Sequence, residues 1–138
     1  MFILDTNVVS ELRKAKTTGA DKHVMTWATG VSSSSLYLSV ITILELEIGT
    51  LRLARRDRKQ GAAVRAWLDD QVKPAFEDRV LPVDAPVAER CARLHVPDPG
   101  SYRDAFIAAT ALVHGMTVVT RNVADFKLSG VRVINPWN

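Results

Sequence analysis

The chain has 138 residues, 47% hydrophobic and 24% charged, with a formal net charge of +3. That length and balance suit one compact domain over residues 1–138 and exclude a disordered or low-complexity chain. The single Cys91 excludes an internal disulfide. With no basic leader and no apolar run long enough to span a bilayer, a cytoplasmic protein without membrane contact is expected.

The opening apolar run to Leu4 predicts a buried strand that stops at Asp5, followed by a helix from about Asn7 to Lys14. Gly19 and Asp21 mark a turn, and Val24, Trp27, Ala28 and Val31 recur at helical spacing. The serines 32–35 predict a loop into a strand, "LYLSV", and a long helix runs from Thr42 to about Arg58. Gly61 breaks that pattern before a further helix reaches Phe76. "RVLPV" predicts a third strand and Ala85 to Leu94 a helix. After the loop punctuated by Pro97, Pro99 and Gly100, "SYRDAFIAATALVHG" predicts a central helix closed by Gly115. "MTVVT" and "VRVIN" are the last strands. Strands alternating with helices predict a three-layer α/β/α sandwich around a mainly parallel five-stranded sheet.

Each of four acids has a local explanation. Asp5 stands where a helix cap belongs, Thr42-x-x-Glu45 has capping-box spacing, Asp104 falls in a first helical turn, and Asp125 fits a turn after the fourth strand. Topology gives them a common one. In a parallel sheet, segments leaving strands emerge at the carboxyl edge, where ligands bind. Asp5, Glu45 and Asp125 follow strands, and the helix opened by Asp104 must start at that same edge to feed the next strand. Four carboxylates on one rim repel unless a cation neutralises them. Oxygen-only ligands point to Mg²⁺ or Mn²⁺.

"FILDTNVVSE", "TILELEIG", "DAFIAATAL" and "TRNVADF", in this order and spacing, resemble the PIN domain over essentially the whole chain, and the closing "INPWN" resembles the FitB-type branch of VapC toxins. The resemblance implies a metal-dependent endoribonuclease acting as the toxin of a toxin–antitoxin pair. By position it implies Asp5 and Asp104 as principal Mg²⁺ ligands, Glu45 and Asp125 completing the acidic site, and Thr6, Asn7 and Thr120 orienting the ligands. It further implies an RNA substrate, a VapB/FitA-like antitoxin, DNA contact only through that antitoxin, and a homodimer. Either Glu45 or Asp125 can take the proton of the attacking water.

Cations cluster at Arg13, Lys14 and Lys16 and again at Arg52, Arg55, Arg56, Arg58 and Lys59. Arg55 and Arg56 are candidate contacts for the flanking RNA strand, and Arg121, beside Thr120, for the scissile phosphate. His23, His95 and His114 are expected in structural roles, and Trp27 and Trp67 in the core, with Trp137 left as an interface anchor. A receiver domain is excluded, because it needs an acidic pair after the first strand and an Asp ending a middle strand. A flap nuclease would need insertions for which 138 residues leave no room. A catalytically silent PIN scaffold within a DNA-bound toxin–antitoxin complex is the remaining alternative.

Overall fold

A computed structural model describes residues 1–16 and 19–138. The side chain of Lys16, one of the basic cluster, lies outside the described residues, as does that of Leu128. Strands β1 (Phe2–Leu4), β2 (Leu36–Ser39), β3 (Val80–Leu81), β4 (Thr117–Val119) and β5 (Val133–Ile134) form a parallel five-stranded sheet in the order β3-β2-β1-β4-β5. Parallel neighbours need crossover connections. These are supplied by α1 (Thr6–Arg13), α2 (Lys22–Thr29), α3 (Val40–Arg56), α4 (Arg58–Trp67), α5 (Lys73–Ala75), α6 (Ala85–Leu94) and α7 (Tyr102–His114).

Successive strand residues face opposite sides of the sheet, so β1 feeds both layers. Leu4 packs with Val8, Leu38, Leu46 and Leu68 on the α1/α3 side. Ile3 packs with Ile107, Ala108, Ala111 and Phe126 beneath α7. Both are fully buried, as expected of a strand covered on both faces. Helix α6 forms an outer brace on α7 through Val87, Cys91 and Ala109. The expected three-layer α/β/α sandwich is what the chain forms. Among the described residues no helix is long and apolar enough to cross a membrane.

Two local expectations are corrected. Gly61 does not interrupt the helices. It lies inside α4, and the break falls at Asp57, whose side chain caps α4 by accepting the Gln60 N–H at 3.0 Å. Gly61 is instead a contact point, since a Cβ there would stand 2.4 Å from the Ala54 Cα of α3. The helix expected to reach Phe76 passes from α4 through a π-helical turn, Leu68–Val72, into α5. The capping box at Thr42 does not form either. Helix α3 starts two residues earlier, at Val40, because the Ser39 hydroxyl caps it by accepting the Ile41 N–H at 3.0 Å. Thr42 is buried and donates a long hydrogen bond of 3.5 Å to the Leu4 carbonyl.

Candidate active site

The chain leaves β1 for β2 and β3 on one side of the sheet, then returns to lay β4 and β5 on the other. The carboxyl ends of β1 and β4 therefore flank the point where strand order reverses, the place where open α/β sheets form a crevice. Asp5 follows β1 at this point and Thr120 follows β4.

Asp5 is 5% exposed. One carboxylate oxygen accepts the Thr6 N–H at 2.8 Å, so the capping contact exists. The other accepts the Thr120 hydroxyl at 2.8 Å and the Asn7 amide at 3.2 Å. Asn7 also donates to Thr120 Oγ1 at 3.1 Å, and its own carbonyl oxygen accepts the Arg121 N–H at 3.1 Å. Thr120 Oγ1 in turn accepts the Asn122 N–H at 3.0 Å. Asn7 and Thr120 thus tie the ends of β1 and β4 together and fix the carboxylate between them. Burial pushes the Asp5 pKa up, against the pull of the Thr120 and Thr6 hydrogen bonds, and the Asp125 charge pushes it the same way as burial.

Glu45 lies in the second turn of α3, where its Oε1 accepts the Thr6 hydroxyl at 2.8 Å. Thr6 consequently holds two acids, Asp5 through its backbone and Glu45 through its side chain. Glu47, two residues on, is turned to Arg65 at 2.8 Å and Lys73 at 2.7 Å, whose hydrogen bonds pull its pKa down to about 2. That acid is neutralised outside the cluster.

Asp104 stands in the first turn of α7, and Asp125 in the short helical turn Val123–Ser129 after β4. Burial, followed by the charges of Asp5, Asp125 and Glu45, pushes the Asp104 pKa up to about 6. Burial is the larger part of that shift, and the like charges of Asp5, Asp125 and Glu45 add to it. Among the described residues no group of three or more Asp, Glu, His or Cys side chains forms a preassembled metal cage. What the fold supplies is a loose, all-oxygen set held at its Asp5 end.

Residues 2–127 match the PIN domain. The chain belongs to the PIN-domain family. It is 38% identical to the VapC ribonuclease Y4jK of Sinorhizobium fredii over 142 residues, 99% of this chain and 98% of that protein. It is 35% identical to Toxin FitB of Neisseria gonorrhoeae over 144 residues, covering 100% of this chain and 99% of that one. The crystal structure of FitAcB from Neisseria gonorrhoeae superposes with a TM-score of 0.89 at 34% identity, covering 100% of this chain and 99% of that chain.

In this PIN domain the cations are placed less simply than the acids. Arg121 is not turned to the carboxylates, since its guanidinium rests 5.1 Å above the Trp137 ring. Arg103 had not been singled out from the sequence, yet one of its guanidinium nitrogens lies 3.8 Å from Glu45 Oε2. The available signal was its position beside Asp104 at the start of α7. Arg55 and Arg56 are exposed at the far end of α3, in its last turn. At ~1.5 Å per residue, Arg56 stands roughly 16 Å along the helix from Glu45.

All three tryptophans pack partly buried against the same core cluster, Trp137 included, and Trp27 meets Phe2 edge-on at 5.3 Å. His23 and His114 are exposed on helices. His95 ends α6, where its Nδ1 accepts the Gly100 N–H at 3.1 Å and its ring lies 4.5 Å from that of Tyr102.

Proposed function

We propose that the protein is a Mg²⁺-dependent endoribonuclease, with Mn²⁺ able to substitute, acting as the toxin of a type II toxin–antitoxin pair. The observation that carries this reading is the joining of Asp5 and Glu45 through Thr6 at the point where strand order reverses, with Asp5 held in place by Thr120 and Asn7. Burial first, and then the charges of Asp5, Asp125 and Glu45, push the Asp104 pKa up to about 6. The similarity to a VapC ribonuclease and to Toxin FitB supports RNA as the substrate and toxicity as the role.

A hard divalent cation fits the donor set, which is all oxygen, anionic and loose enough to close around an ion. Asp5 and Asp104 would hold it, with Glu45 and Asp125 completing the site directly or through water. When bound, it supplies screening of the phosphodiester charge and a water acidified near neutral pH. The chain's own residues do the rest. Asn7 and Thr120 keep the Asp5 carboxylate oriented, and Thr6 keeps Glu45 beside it. Either Glu45 or Asp125 takes the proton of the attacking water, leaving a 5′-phosphate and a 3′-hydroxyl. Arg103 sits closest to these acids and steadies the phosphate, joined by Arg121 once it leaves Trp137. Arg55 and Arg56 hold the flanking strand. A VapB/FitA-like antitoxin inhibits by placing a basic side chain among the carboxylates and carries any DNA contact, and the working form is a homodimer.

The lack of a preassembled cage among the described residues favours one rival, a catalytically silent scaffold of the same fold. Incubation of total RNA with the protein and Mg²⁺, followed by mapping of the product ends, separates the two. Cleavage leaving 5′-phosphates, abolished by EDTA and by Asp104→Asn, supports the nuclease. No cleavage supports the scaffold, and cleavage in excess EDTA overturns the metal mechanism.

A further inference from the structure

Beside the carboxylates lies a cleft of about 250 Å³ with a different character. Asp104 and Asp125, two of the acids already described, are among the residues that line it. Its walls are Leu94, Ala105, Ala108, Ala124 and the loop bearing Asp98, Pro99 and Gly100. The cleft shares Asp104 and Asp125 with the place where a phosphodiester is to be cut, yet among the described residues no cation lines it, so a phosphate gains nothing there. It is smaller than the ~300–1,000 Å³ of drug-sized ligand sites. A flat ring slotted between aliphatic walls, with a polar edge turned outward, suits that size and chemistry.

Building on the nuclease reading, we propose that this cleft is a base-recognition pocket that receives one unstacked nucleobase next to the cleaved bond and selects guanine. Sequence-specific RNA recognition works mainly on splayed single-stranded bases read at their hydrogen-bonding edges. An ionised carboxylate only accepts hydrogen bonds. Guanine presents two adjacent donors, N1–H and N2–H, that match the two oxygens of one carboxylate. Adenine and cytosine present a single amino group, and uracil a single N–H flanked by carbonyls that a carboxylate repels.

Asp98 is the acid free for this task. It is exposed in the loop and, among the described residues, makes no ion pair or side-chain hydrogen bond. The loop is not left loose, because His95 at its start accepts the Gly100 N–H at its end at 3.1 Å, and the Tyr102 ring backs the imidazole. The remaining ring nitrogen of His95 is buried without a hydrogen-bond partner among the described residues.

The test maps cleavage of a single-stranded RNA randomised in sequence, for the wild type, Asp98→Asn and Ala105→Leu, the last of which fills the cleft. Guanine should be enriched about tenfold over uracil at one position beside the cut, the discrimination expected of a good bidentate contact. Asp98→Asn should remove the enrichment while cutting at other sites continues, and Ala105→Leu should remove it as well. A parallel titration with guanosine or uridine, followed by amide NMR shifts of Gly100, Ala105 and Ala124, reads the pocket without cleavage. Selective guanosine shifts, lost in Asp98→Asn, sustain the pocket even if no RNA is cut, in which case only the nuclease reading fails. Equal response to both nucleosides, or guanine enrichment unchanged in both variants, overturns the pocket and leaves the nuclease reading intact.

Discussion

Thr120 is fully buried, and its hydroxyl serves three partners, donating to Asp5 while accepting from Asn7 and Asn122. Thr120→Val keeps the shape and strips all three. It should cost about 1–3 kcal/mol in urea unfolding, because buried partners are left unpaired. Cleavage should fall about 10–100-fold, the usual effect of removing a group that orients a ligand. Loss of stability with full activity would make Thr120 purely structural. Asp104 predicts a pH dependence in chelator. Its pKa rises from 3.8 to about 6 on folding, so the folded state binds the extra proton between those values. Stability from this group is therefore full below about pH 4 and lost as pH rises through about 6, a swing of order 1–2 kcal/mol after screening. Asp104→Asn should flatten that slope and melt higher than the wild type above pH 6, which a melting series in EDTA would read. Asp104 was legible in the sequence as an acid opening a helix at the carboxyl edge, and Thr120 only through the resemblance to the PIN domain. Their pairings were not, because a hydroxyl with three partners is a property of two strand ends meeting, and the approach of Arg103 to Glu45 depends on the angle at which α7 starts.

At the scale of elements, α3 and α4 show where sequence periodicity misleads. Glycine usually punctuates helices, yet Gly61 sits in mid-helix because α3 presses its backbone against it, with Ala54 as the opposing residue. Gly49 also lies within a helix, α3, but a Cβ there would meet nothing within 4 Å. The same substitution should therefore act in opposite directions at the two sites. Gly49→Ala should stabilise by about 0.5–1 kcal/mol, the ordinary gain from replacing helical glycine. Gly61→Ala should destabilise by about 1–3 kcal/mol, as overpacking against backbone does. Chemical denaturation of both variants decides the matter, and a stabilised Gly61→Ala protein would mean that the two helices part easily. Elements with a plain period and a clean stop were readable, Ala85–Leu94 at both ends and the central helix at its Gly115 end. The start of α3 was not, because Ser39, read as strand, also serves as the cap.

For the molecule as a whole, the four acids come from four separate segments, so their repulsion opposes the closure of the fold itself. A cation that binds them should stabilise the whole domain, by about 2.7 kcal/mol at a hundredfold excess over its Kd. Mg²⁺ should raise Tm in wild type and much less in Asp5→Asn or Asp104→Asn, and an equal rise in all three would place the ion elsewhere. The sequence implied a rim of carboxylates, because the carboxyl edge of a parallel sheet follows from strand–helix alternation alone. It did not imply that β1 would lie between β2 and β4, since strand order rests on contacts between distant segments. That central place of β1 has a consequence for synthesis. Its partner β4, and Asp125 after it, leave the ribosome long after Asp5 does, and N-terminal segments emerge and begin to fold first. A nascent chain therefore carries its first acid for most of translation without the strand that completes the crevice.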